Sequence, residues 1–84
     1  MRNEVSSAMK IYFRNELLRT RGERPQDDMA PYLEMSVRAY SDLETGKSCC
    51  RMDTFLLFLL ICPDPSAFFR GLLDILAKLQ LEKA

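Results

Sequence analysis

Apolar residues return along this chain every three to four positions, which is the period of a helix with one buried face. Val5, Met9, Tyr12, Phe13 and Leu17 mark a first helix from about Ser6 or Ser7 to Thr20, and "RGERP" (21–25) ends it, with Gly22 as the natural exit. Met29, Ala30 and Leu33 predict a short second helix over about 26–33. Pro31 is out of place inside it, because a mid-helix proline removes a backbone bond at a cost of about 3 kcal/mol. A third helix follows within three residues, with Ser36 as N-cap, Val37, Tyr40 and Leu43 three apart, and Gly46 just past the end. The fourth is expected to start at Asp53 as N-cap and to stop before Pro63. The fifth takes Asp64 as N-cap and Pro65 as its first residue, and runs to about Leu81. No alternating run predicts a strand. The expected fold is all-α, five helices in one domain over 1–84.

Two of these helices carry more apolar surface than one face can use. In the fourth, Phe55 through Ile61 are all apolar, so no side is left for water, and a helix apolar all round must be buried all round. In the fifth, Phe68, Leu72, Ile75 and Leu79 form one stripe, which Phe69, Leu73, Leu76 and Leu81 widen past a single seam. In a domain of 84 residues that surplus predicts a homodimer, with the segment 65–81 as the dimerisation helix and 7–69 as the core.

Composition then narrows the chemistry. The 48% hydrophobic and 29% charged residues are a globular balance. Net charge is zero but segregated: residues 1–24 hold six Lys/Arg against three Asp/Glu, and residues 25–46 hold one against five. There is no His, which removes the commonest general base and zinc ligand, and the reading is neither an enzyme nor a metal or cofactor protein. Cys49, Cys50 and Cys62 have no disulfide-framework spacing, no signal peptide is legible, and a reducing, cytoplasmic setting is expected. The adjacent pair Cys49–Cys50 reads as loop filler, not as a redox sensor. The longest apolar run, "FLLFLLIC", has eight residues against the roughly 20 needed to span a bilayer.

Two short helices joined by the tight "LEMS" turn form a helix-turn-helix candidate. From Gln26 the chain reads "QDDMAPYLEMSVRAYSDLETGK", which resembles the signature of the Cro/CI-like (XRE-type) helix-turn-helix family. Gln26 stands where the family opens helix 2, and Ala30 where the helices cross closely. Met35 and Ser36 stand in the turn, Glu44 and Gly46 where Glu-x-Gly closes helix 3, and Tyr40 and Leu43 at core positions. "LLRTRG" is similar to the family's first-helix ending, and "MDTFLLFLL" with "ICPDPSAFF" to its fourth helix and entry to the fifth, so the likeness covers about 11–69. The chain departs from the pattern at Glu34, where the family usually has Gly, at Pro31, and at Asp42.

The resemblance implies a lambda-repressor-like five-helix bundle and sequence-specific binding of double-stranded DNA by a small transcriptional regulator. Recognition helix 37–45 would lie in the major groove. Ser36, Val37, Arg38, Ser41 and Asp42 would then face base edges. Arg38 is able to grip guanine, Val37 to pack on a thymine methyl, and Asp42 to accept from a cytosine amine. Gln26 would take a phosphate or brace the recognition helix, and Lys47 and Arg51, with Arg14 and Arg24, are the phosphate partners. A dimer would read a near-palindromic operator. No membrane and no small-molecule ligand is expected. The resemblance further implies an ion pair between Arg19 and Glu44. The alternative, prompted by the neutral charge and the few cations after Gly46, is an interaction module that keeps this fold without binding DNA.

Overall fold

The computed structural model describes residues 1–83 and is helical throughout, with no strand among them. Its elements are α1 (Arg2–Arg21), α2 (Gln26–Met29), a 3₁₀ turn (Ala30–Leu33), α3 (Val37–Thr45), α4 (Met52–Ile61) and α5 (Pro65–Lys83). Five α-helices match the sequence pattern, and the differences lie at their ends.

The first helix begins at Arg2, more than a turn before the expected Ser6 or Ser7. Its opening turn has no side-chain cap, and the N-terminal amine closes on Glu4 at 2.9 Å. The predicted second helix divides at its proline. Pro31 has no N–H to give the Asp27 carbonyl, so the chain tightens into the 3₁₀ turn after Met29. Glu34 then turns left-handed (φ 53°, ψ 45°), and the N–H groups of Glu34 and Met35 close back on Pro31 O and Ala30 O at 3.0 and 3.2 Å. A residue with a side chain is strained in this conformation, which explains why glycine suits the position.

Both ends of α3 fall where expected. Ser36 Oγ accepts the Ala39 N–H at 3.1 Å, and Gly46 (φ 79°) lets the Lys47 N–H reach Asp42 O at 2.9 Å. Asp53 is not the cap of α4. Arg51 takes that place, and Asp53 lies in the first turn, where its Oδ1 accepts the Thr54 N–H at 2.8 Å. For α5 the reading holds: Asp64 Oδ1 accepts from Ala67 N at 3.1 Å and Pro65 is the first residue. The helix continues two residues past Leu81.

The core joins Phe13 and Leu17 of α1, Met29, Ala30 and Leu33, Tyr40 and Leu43 of α3, Phe58 of α4 and Phe68 of α5. Phe68 is its aromatic hub. Its ring lies 5.2 Å from Phe58, 5.3 Å from Tyr12, 5.5 Å from Phe55 and 6.4 Å from Phe13, within the range of favourable edge and tilted packing. Tyr12 also donates its hydroxyl to the Phe68 carbonyl at 2.7 Å, which pins α1 to α5. Burial first, and the nearby Glu16 carboxylate second, push that phenol up to about 12.

The expectation that α4 is buried all round is met on one side only. Thr54 and Phe58 are buried, whereas Met52, Leu56 and Leu60, one turn apart, face outward. On α5 Phe69 packs on Phe55 of α4, Gly71 lies against Tyr12 of α1, and Leu73 and Leu81 are exposed.

Candidate nucleic-acid interface

α1 and α2 hold α3 from behind, so one side of α3 is buried and the other is free. With about 100° per residue, Tyr40 and Leu43 point inward, and Val37, Arg38, Ser41 and Thr45 share the outward arc. Val37 and Arg38 are exposed, and Ser41 and Asp42 are half-buried beside them. Arg38 makes no hydrogen bond or ion pair among the described residues, so its guanidinium is available to an outside partner. Ser36 is exposed, but its hydroxyl is already committed to capping α3. Asp42 serves the backbone: its carbonyl accepts from Lys47 N at 2.9 Å and Ser48 N at 3.2 Å.

What orients α3 is a polar cluster at its C-terminal end, centred on Glu44, which is 4% exposed. Arg21 grips this carboxylate with two parallel bonds, Nε to Oε2 at 2.7 Å and Nη2 to Oε1 at 2.9 Å. The Gln26 side-chain amide donates to Oε1 at 2.9 Å. Arg14 Nε donates to the Glu44 carbonyl at 2.7 Å. Burial works against the charge of Glu44, but the bonds from Arg21 and Gln26 outweigh it and hold the carboxyl below its ordinary range. The Tyr40 hydroxyl is buried nearby without a hydrogen bond of its own, and burial, then the Glu44 carboxylate, keep it well above the usual phenol range.

The expected Arg19–Glu44 pair is therefore corrected to Arg21–Glu44. Residues two apart on a helix lie about 200° apart around it, so only one of these arginines can face α3. Arg19 points the other way, 74% exposed, and pairs with Glu16 one turn back. Gln26 braces α3, one of the two roles the sequence allowed.

The remaining candidates are dispersed. Lys47 is exposed just past the end of α3. Across a shallow hollow of about 280 Å³ between α1 and that end stand Lys10 and Arg14, with Thr45 and Gly46 on the facing wall. Lys10 was missed from sequence: a cation on the solvent face of a helix looks the same whether or not another element ends beside it. Arg51 stands at the start of α4, exposed beside a groove that Glu34, Met35 and Ala39 also line, and its guanidinium meets Asp53 at 3.3 Å. Arg24 folds back on Thr20 O and Arg21 O. Positive charge thus gathers where α3 ends. Asp27 and Asp28 stand in the first turn of α2, next to the Gln26 that meets Glu44 at this same end, and Glu34 lies in the turn before α3.

Burial raises the Cys50 thiol to about 12, so little of it is thiolate, the reactive form, near neutrality. Among the described residues no group of three or more His, Cys, Asp or Glu is placed to hold a metal ion, and no helix is long and apolar enough to cross a membrane. No protein-family model, curated protein or solved structure matches the chain.

Proposed function

We propose that this protein is a small transcriptional regulator that binds double-stranded DNA with α3 in the major groove. The observation that carries this reading is the state of α3: capped at both ends, fixed from behind by Arg21, Gln26 and Arg14 through Glu44, and exposed at Val37 and Arg38 with Ser41 half-exposed beside them. A helix meant to enter a groove needs that rigidity and that free face.

Arg38 reads a guanine with its paired N–H donors, Val37 packs on a thymine methyl, and Ser41 and Asp42 accept or donate at neighbouring edges. Lys47 takes phosphate, joined by Lys10 and Arg14 across the end of α3 and by Arg51 at the flank. Arg38→Ala should relax preference at one base pair and weaken the best site by about 1–3 kcal/mol. Lys47→Ala should weaken all duplexes alike and lower the salt slope by about one unit. Selection from random duplexes, followed by titration over a salt series, measures both. No binding to any duplex at low salt would overturn the reading.

The second reading is an interaction module with the same fold. It is favoured by the groove of about 700 Å³ beside the start of α3, lined by Leu33, Glu34, Met35, Leu57 and Leu60. The same titration separates the two.

A further inference from the structure

Sulfur is concentrated at one place in this fold. The chain has three cysteines and five methionines, and four of them, Met9, Cys49, Cys50 and Met52, line a single hollow of about 370 Å³. Met9 stands on α1, Cys49 and Cys50 in the loop after α3, and Met52 at the start of α4, so distant segments bring this sulfur together. The rest of the wall is dry. Phe55 of α4 and Phe69 of α5 close it with their rings 6.1 Å apart, beside Leu72. Its charged member, Arg51, is engaged by Asp53 at 3.3 Å. Among the described residues no carboxylate, amide side chain or hydroxyl lines the hollow.

We infer that this hollow binds a soft monovalent metal ion, copper(I), through the Cys50 thiolate and the Met9 and Met52 thioethers, with Cys49 at the mouth guiding entry. Thiolate and thioether sulfur select copper(I) over ions that prefer nitrogen or oxygen. The lack of His excludes the usual zinc sets and has no bearing on an ion of this kind. Exposure assigns the two thiols: Cys50 is half-buried in the wall, whereas Cys49 is exposed. Charge fixes their number. One thiolate and one copper(I) make a neutral centre, which an apolar wall accepts. A second thiolate would leave a negative charge that Arg51, already paired, does not offset. The Cys50 thiol donates to the Arg51 carbonyl at 3.2 Å, and burial keeps it protonated near neutrality. It ligates by releasing that proton to water as the ion enters. The thioethers need no proton step. Methionine has three rotatable bonds, and Met52, 73% exposed, is free to turn inward from the rim.

The site does not depend on the DNA-binding reading. Where that reading holds, a filled site ties α1 to the loop that follows Lys47.

Anaerobic titration of the full, reduced chain with copper(I), against a chromogenic copper(I) chelator such as bicinchoninate, tests the site without DNA. The chain should withdraw one ion per molecule, and it should leave zinc(II) with a zinc indicator. Cys50→Ala should weaken binding about a hundredfold or more. Met9→Leu and Met52→Leu, which conserve volume, should each weaken it about tenfold. These methionine variants keep the fold, which far-UV circular dichroism checks, and they separate a built site from the affinity that any free thiol has for copper(I). Cys49→Ala should leave affinity within about threefold. Cys62→Ala removes a thiol outside the hollow, at the far end of α4, and should change nothing. Affinity, corrected for the chelator, should rise about tenfold per pH unit from about pH 6 to pH 8, because one proton leaves per ion. No withdrawal of copper(I), one ion shared between two chains, or methionine variants as tight as the unaltered chain would each overturn the proposal. So would a rise of about a hundredfold per pH unit, which means two thiolates.

Discussion

Replacing Glu44 by Ala removes the carboxylate on which Arg21 and Gln26 converge. Two charge-assisted bonds from Arg21 and one from Gln26 disappear, and bonds of this kind contribute about 1.5–3 kcal/mol each. They are not additive here, because Arg21 is not sealed in. Its side chain is 19% exposed and keeps its bond to Arg24 O at 2.7 Å, so the guanidinium can turn toward water. That puts Glu44→Ala near the lower end of the range for breaking a buried pair, about 3 kcal/mol. Arg21→Ala strands a carboxylate that is 4% exposed and should cost as much or slightly more. The double variant should lose less than the sum, by about 1–3 kcal/mol. Urea unfolding followed by far-UV circular dichroism gives all three values, and Arg19→Ala serves as the control. Arg19 is mostly solvated and touches Glu16, so it should change little and show no coupling to Glu44. Additive losses for Arg21 and Glu44, or coupling at Arg19 instead, would refute the assignment. The pH dependence has a definite sign. A carboxyl held below its ordinary value of 4.5 stabilises the fold fully above that value and loses the contribution as pH falls through the lowered one. Glu44→Gln should therefore flatten the acid limb of the stability curve and leave its shape at neutral pH unchanged.

Two further predictions concern backbone and packing. Glu34→Gly should raise stability by about 0.5–1 kcal/mol in the same urea experiment, since Glu34 sits at φ 53° and makes no side-chain bond among the described residues. A loss would mean that the turn is not left-handed in solution. Gly71→Ala should lower stability by about 1–3 kcal/mol despite the better helix propensity of Ala, because its Cβ would lie against the Tyr12 ring, 3.0 Å from Cζ, while that ring is held by the Phe68 carbonyl. Combining it with Tyr12→Ala should abolish the penalty for Gly71→Ala.

The sequence alone determined the helices and their punctuation. Ser36, Gly46, Asp64 and Pro65 act within one turn of backbone, so their meaning survives without tertiary context. The inward positions of Phe13, Leu17, Met29, Ala30, Tyr40 and Leu43 were legible for a similar reason: a helix can bury only one face economically, and these residues define it. Two local features were legible as oddities. Pro31 and Glu34 were conspicuous, and the structure shows a 3₁₀ turn and a left-handed residue there. Only the tertiary structure decided which arginine meets Glu44. Arg19 and Arg21 are equivalent in type and neighbouring in sequence, and the choice depends on the rotation of α1 against α3, which no local pattern encodes. The same holds for Lys10, which only the packing of α1 brings beside the end of α3. Which side of α4 would stay bare was also undecided, since all of its sides are apolar. The position of the aromatic hub at Phe68 chose it, drawing Phe58 and Phe55 inward and leaving Met52, Leu56 and Leu60 outside.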